Sequence, residues 1–346
     1  MPSNSRDFAL KVLAWQRQHG RHDLPWQGTR DPYRIWVSEI MLQQTQVGAV
    51  IGYFERFMQR FPDVKALAEA PEDEVLRFWS GLGYYARARN LHKAARLVVE
   101  KHDGVLPRSA EELVGLPGVG RSTAAAIAAF AFGERGAILD GNVKRVLARQ
   151  FGIEGFPGAA KVEARLWALA ADLLPANGIE GYTQGLMDLG AMVCTRAKPQ
   201  CEACPVSQGC VALRTGRVRE LPSPRPKRVH PTRQATWLVL RHCGQVLLER
   251  RPSAGIWGGL WSFPEFDGRD LAQECLTRFG CVISSHREMP SFAHGFTHFR
   301  LEISPLVCDV RSLESRTASP GSLWLDPEAA IAAAIPTPVR NLLRRL

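Results

Sequence analysis

Four of the eight cysteines fall within seventeen residues: Cys194, Cys201, Cys204 and Cys210, a C-x6-C-x2-C-x5-C run. Thiolates this close in sequence can meet on one metal centre, and four-sulfur ligation suits a zinc ion and an iron–sulfur cluster alike. Disulfides fit less well: the N-terminus, Met1-Pro-Ser-Asn-Ser-Arg-Asp7, has no apolar signal segment, so the chain reads as cytoplasmic. Pro199 and Pro205 suit a tight loop around such a centre. The other four, Cys243, Cys275, Cys281 and Cys308, are scattered and read as reduced thiols.

Two acids could do chemistry. Glu39 lies in Ile35-Trp-Val-Ser-Glu-Ile-Met-Leu-Gln-Gln-Thr-Gln-Val47, where most neighbours are apolar. Turned inward, its carboxyl would be desolvated, its pKa raised, and it would become a proton donor. Turned outward, it is a glutamate on a solvated helix face; the window allows both. Asp140, in Ile138-Leu-Asp-Gly-Asn-Val-Lys-Arg-Val146, precedes an apolar-periodic segment as an N-cap does. A carboxylate fixed at a helix start and facing a DNA groove also stays ionised and can stabilise a developing cation. Twenty residues upstream, Leu116-Pro-Gly-Val-Gly120 separates two helical segments. Gly118, Val119 and Gly120 would let backbone N–H groups approach an anion at a helix N-terminus, a phosphate clamp blind to base sequence. A plain turn between helices would use the same residues.

The elements that must position these groups follow from pattern. At 346 residues the chain has room for about two domains. Its 45% hydrophobic and 23% charged residues exclude wholesale disorder, and the absence of any uninterrupted apolar run of membrane length excludes a spanning helix. Forty-four Lys and Arg against 34 Asp and Glu leave +10, a field that favours a polyanion. Apolar spacing of three and four predicts helices over Ser109–Leu116, Ser122–Phe132, Val143–Phe151 and Ala160–Leu174. Leu221-Pro-Ser-Pro-Arg-Pro-Lys-Arg-Val-His-Pro231 cannot carry a helix and marks a boundary. Beyond it the period changes to two: Ala235–Arg241 and Gln245–Arg250 read as a hairpin, followed by a Gly/Trp-rich loop, one helix, and strands around His298–Val310. The expected layout is multidomain: an all-α catalytic domain over 1–216, with a hairpin unit at 109–132 and the cysteine loop at 194–210. A linker over 217–234 and an α+β domain over 235–346 follow.

Taken in order, the Leu-Pro-Gly-Val-Gly hairpin, the Asp140 context and the cysteine run resemble the helix–hairpin–helix DNA glycosylases of the endonuclease III superfamily. Within it, Trp36-Val-Ser-Glu-Ile-Met-Leu-Gln-Gln-Thr45, Gly81-Leu-Gly-Tyr-Tyr-Ala-Arg87 and Met187-Asp-Leu-Gly-Ala-Met192 are similar to the adenine-removing branch, from about Leu24 to Cys210. The resemblance implies a [4Fe–4S] cluster on the four cysteines. The partner it implies is double-stranded DNA carrying adenine opposite 8-oxoguanine or guanine, bound by a monomer. Glu39 would protonate a flipped adenine, Asp140 would hold the charge growing on the sugar or bond to it briefly, and Asn142 would orient Asp140. Trp26, Gln27 and Gln184 match adenine-pocket positions. Ser122 joins them where bifunctional relatives have a Schiff-base lysine, so the imine route to strand cleavage is closed or slow. Lys144, near Asp140, remains an amine that could react adventitiously. Gln44 and Tyr84 match residues that wedge into the duplex, with Thr45 beside Gln44.

The C-terminal domain resembles a Nudix fold that lacks the Arg-Glu-x-x-Glu-Glu signature, since Leu271-Ala-Gln-Glu-Cys-Leu-Thr-Arg-Phe-Gly280 holds only Glu274. Diphosphate hydrolysis is therefore not expected. Phe296, Thr297 and His298 match the loop with which the family recognises 8-oxoguanine, with Thr297 where Ser is frequent. Two rivals are a bifunctional glycosylase/lyase for oxidised pyrimidines, disfavoured by Ser122 and the extra domain, and a non-catalytic DNA-binding protein, disfavoured by the intact acids.

Overall fold

Every regular element between Ser3 and Arg214 is helical, as the three-and-four spacing requires, and strands begin only at Thr232. The computed structural model describes residues 3–226, 230–268, 270–314 and 321–346. The chain divides into two compact units, Met1–Glu69 with Asn90–Lys227, and Ala70–Arg89 with Arg228–Leu346.

In the first unit, helix Arg121–Phe132 buries a nearly unbroken alanine face, Ala124 to Ala129 with Ile127. Side chains this small let neighbouring helices approach closely, and helix Pro32–Leu42 packs against it. A core of Val12, Ala129, Val143, Leu147, Tyr182, Leu186 and Leu189 joins the N-terminal helix to helices Gly141–Phe151 and Ile179–Asp188. Helix Gly141–Phe151 ends at Gly152, which adopts φ +63 and lies so close to Val211 that a Cβ there would sit 2.7 Å from its Cγ1. Only glycine meets both demands. Helix Ile179–Asp188 runs into a wider π-helical turn, Leu189–Val193, which delivers the chain to Cys194.

In the second unit, eight strands among the described residues form one mixed sheet: β1 (Thr232–His242), β2 (Gln245–Arg250), β3 (Trp261–Ser262), β4 (Glu265–Phe266), β5 (Cys281–Glu288), β6 (Phe292–Gly295), β7 (Arg300–Leu313) and β8 (Ser322–Leu325). The order is β3-β2-β1-β7-β5, with β4 on β1, β6 on β7 and β8 on β2. β1 and β7 run parallel, from Thr232 opposite Arg300 to Arg241 opposite Asp309; the other pairs are antiparallel. The expected β1–β2 hairpin turns at Cys243 and Gly244, both with positive φ, which matches strand twist. Helix Leu271–Phe279 supplies Cys275 to a core of Leu238, Leu240, Leu247, Cys281 and Cys308.

Two stretches differ from the sequence reading. Ala70–Arg89, inside the expected all-α stretch, groups with the α+β unit because its polar groups are satisfied there. Ser80 Oγ donates to the Ile335 carbonyl at 2.7 Å and accepts from Arg340, and Trp261 Nε1 donates to Asp73 at 2.9 Å. The start of the expected linker is anchored to the first unit: Arg217 pairs with Glu154, and Leu221 is buried with its carbonyl accepting from Arg149. Lys227, Arg228 and Val229 of that linker lie outside the described residues.

Candidate active site

Asp31 starts helix Pro32–Leu42 by accepting the Tyr33 N–H at 2.9 Å, with Pro32 at a position where no N–H is missed. Tyr33, Ile35, Trp36, Val37, Ser38, Ile40 and Met41 are all buried, so the helix is wrapped by protein. Glu39 is half-buried, on the wall of a cavity of about 510 Å³. Loss of solvent, then the nearby charge of Asp140, push its carboxyl up to about 8. Of the two orientations open to Glu39, the inward one holds.

Asp140 caps helix Gly141–Phe151 and accepts the Val143 N–H at 2.8 Å. Burial raises its pKa, while the N–H groups of Val143 and Asn142 and the cations Arg145 and Lys144 pull it back. The N-cap reading of Asp140 holds. Asn142 serves Asp140 through its backbone N–H; its side-chain oxygen instead accepts from Arg145 at 2.8 Å. Arg145 also donates to the carbonyls of Gly190 and Cys194 at 2.6 and 2.7 Å. Lys144 Nζ is paired with Glu163 at 2.5 Å.

Trp26, Gln27 and Gln184 line the cavity with Glu39, as expected, and the sequence reading missed Arg21 and His22 beside them. Trp26 is buried edge-on against Phe54. Both ends of the Gln27 amide are used within its loop, accepting from Leu24 N–H and donating to the Arg21 carbonyl. Gln184 Nε2 donates to Asp188 at 2.9 Å. Ser122 is outside this lining: its hydroxyl accepts the Leu139 N–H at 2.9 Å and so braces the irregular segment that enters Asp140.

The hairpin is built for close approach. Gly118 has φ +81, and a Cβ there would sit 2.8 Å from Asn90 Cβ. Val119 is buried and its N–H is taken by the Leu116 carbonyl. Gly120 precedes helix Arg121–Phe132, and among the described residues no side chain caps that helix, leaving its first N–H groups for an anion. Gln43 ties this turn to the Glu39 helix by donating to Thr123 Oγ1 at 3.2 Å. Gln44 is exposed at φ +56, and Thr45 hydrogen-bonds back to Leu42 and Gln43. Tyr84, in the other unit, is 48% exposed at φ +49 with the Arg87 guanidinium 5.5 Å from its ring. Side chains held at positive φ are costly and cluster where a group must be presented.

All four clustered cysteines line one small cavity with Arg149 and Pro199. Arg149 is 3% exposed, and its guanidinium donates to Cys194 Sγ at 3.4 Å and to the carbonyls of Thr195 and Leu221. Among the described residues no three His, Cys, Asp or Glu side chains converge as single-ion ligands. In the α+β unit, Phe296 stacks on Phe299 at 4.5 Å and packs on Trp257, anchoring a turn closed by its N–H to the Phe299 carbonyl; Thr297 and His298 are exposed. Glu274 and Glu249 are both paired with Arg278.

Residues 37–172 match the HhH-GPD superfamily of base excision DNA repair proteins, and residues 235–345 a NUDIX domain. Fold and site together define a helix–hairpin–helix DNA glycosylase. A structure of a thermostable thymine-DNA glycosylase is 33% identical, with TM-score 0.56, over 61% of this chain and 98% of that one. An endonuclease III–DNA complex at 22% identity and TM-score 0.53 shares the fold. The adenine DNA glycosylase of Buchnera aphidicola (Acyrthosiphon pisum, strain APS) is 36% identical over 97% of this chain and 96% of its own. That of Homo sapiens is 35% identical over 97% of this chain and 73% of its own. The chain belongs to the adenine DNA glycosylase family.

Proposed function

We propose that this enzyme removes adenine opposite 8-oxoguanine or guanine in double-stranded DNA and stops at the abasic site. The observation that carries this reading is Glu39 on the wall of the 510 Å³ cavity, its carboxyl pushed up to about 8 by burial and by the nearby charge of Asp140. A flipped adenine enters the cavity, and Glu39 donates its proton to the ring, which turns a poor leaving group into a better one. As the glycosidic bond lengthens, positive charge grows on the sugar. Asp140, held by two backbone N–H groups, stabilises that charge. Ser122 offers no amine for imine formation, so water completes the reaction.

Two results from one gel assay test this. Duplexes with adenine opposite 8-oxoguanine should be nicked only after alkali, and thymine-glycol duplexes should not be cut at all. Nicking without alkali, or release of thymine glycol, supports the bifunctional rival instead.

The cysteine loop supports a [4Fe–4S] cluster over zinc. The family resemblance carries that preference, and the geometry accommodates it: all four thiols line one small cavity, where buried Arg149 donates to Cys194 Sγ. Bound there, the cluster would supply four iron–thiolate bonds that close the loop. Purified protein should be straw-coloured, with iron and labile sulfide near four each per chain; stoichiometric zinc in a colourless, active enzyme would overturn the assignment. The same reading divides the work between residues 1–216, which catalyse, 217–234, which connect, and 235–346, which read 8-oxoguanine through Thr297 and His298. It also makes the protein a cytoplasmic monomer on DNA; among the described residues no helix is long and apolar enough to cross a membrane.

A further inference from the structure

Asp188 lies behind the cavity wall, 0% exposed, in the motif Met187-Asp-Leu-Gly-Ala-Met192 whose other residues are apolar or glycine. Its carboxylate takes four donors. Arg21 gives its backbone N–H to Oδ2 at 2.9 Å and its Nε and guanidinium NH2 to Oδ1 at 2.6 and 2.5 Å; Gln184 Nε2 gives the fourth, to Oδ1 at 2.9 Å. A carboxylate paired with arginine offers only acceptors. It therefore fixes which end of the Gln184 amide faces inward: the NH2 must point at Asp188, and the carbonyl oxygen is the end left to the cavity that Gln184 lines.

We infer that Asp188 is a positioning residue for base specificity, which locks Gln184 as a hydrogen-bond acceptor and so selects a purine carrying an exocyclic amine over one carrying a carbonyl there. Adenine presents a donor at its 6-position; hypoxanthine, of the same shape, presents an acceptor that would face the Gln184 oxygen. A site built to pair with a donor rejects an analogue lacking it, because buried polar groups are left unmatched. The inference rests on adenine excision from the cavity proposed above. Arg21 belongs to the same device: it compensates the buried charge and helps hold Asp188 in place.

The test compares single-turnover excision of adenine and of hypoxanthine, each opposite 8-oxoguanine, in four proteins: wild type, Asp188→Asn, Gln184→Met and the double variant. An asparagine is no longer an acceptor at both ends, so the Gln184 amide can turn. Asp188→Asn should lower the adenine-to-hypoxanthine rate ratio by ~5- to 100-fold. Gln184→Met, which leaves the buried ion pair intact, should lower it comparably. In the double variant the Asp188 change should have no further effect on the ratio, the signature of action through Gln184. A purely structural role would slow both bases equally and leave the ratio unchanged, which would overturn the inference. So would a loss of ratio from Asp188→Asn that is equally large with Met at 184. Should Asp188→Asn not fold, an unchanged ratio in Gln184→Met alone overturns it. A wild type that removes neither base overturns the functional reading itself, and this one with it.

Discussion

Two sets of carboxylates, Glu39 with Asp140 in the helical unit and Glu249, Glu265 and Glu274 in the α+β unit, live under opposite regimes. In the helical unit, burial raises Glu39 to about 8 and also raises Asp140, which is compensated by backbone N–H groups and by two cations partly engaged elsewhere. In the α+β unit, Glu274 and Glu249 share Arg278, and Glu265 pairs with Arg251 at 2.5 Å. The first arrangement leaves charge under-compensated and a proton available; the second pairs each of these three acids with an arginine. The decisive variable is the company each acid keeps.

The largest effect that can break this contrast is on rate. Glu39→Gln and Asp140→Asn should each cost ~10²–10⁴ in single-turnover excision while mispair binding by gel shift stays near normal. Near-normal turnover in either would remove that acid from the chemistry. A smaller effect is expected from the second unit: Thr297→Ala with His298→Ala should lower the preference for 8-oxoguanine over guanine by roughly 5- to 150-fold, measured as a ratio of rates at fixed salt. Phe296→Ala should do the same with a loss of thermal stability, since its ring anchors the turn on Phe299 and Trp257.

Stability should respond next. Glu39 keeps in the folded state a proton that the unfolded chain releases above the ordinary glutamate range, so its contribution falls as pH rises from there to about 8. Glu39→Gln should flatten that slope and be more stable than wild type at pH 8 by ~1–3 kcal/mol, discounted for the open cavity; chemical denaturation at pH 5 and pH 8 reads it. The smallest effect should come from Glu274→Gln, worth ~1 kcal/mol or less and without consequence for excision.

Much of the site was legible because its signals are local. Four thiols in seventeen residues, two glycines before a helix and an Asp at a helix start are each written in adjacent positions. What was not legible depends on partners far along the chain. The inward turn of Glu39 is decided by helices around it, not by its own window. Ala70–Arg89 has the same apolar spacing as its neighbours, and partners 188 to 260 residues on, Trp261, Ile335 and Arg340, reveal its unit. The resemblance implies that Asn142 orients Asp140 without saying how; its position beside the helix cap makes its backbone N–H the group that bonds to Asp140. Asp188 carried a signal that could have been used: a lone acid within an apolar motif is buried only with partners.

The most direct measurement is the titration of Glu39 itself in the free enzyme, by carbon NMR of glutamate labelled at its side-chain carboxyl, with the resonance assigned by its loss in Glu39→Gln. A midpoint near 8, falling when Asp140 is changed to Asn, is the expected result. A midpoint between 4 and 5, unmoved by that change, would contradict the claim that the fold keeps this proton ready for the leaving base.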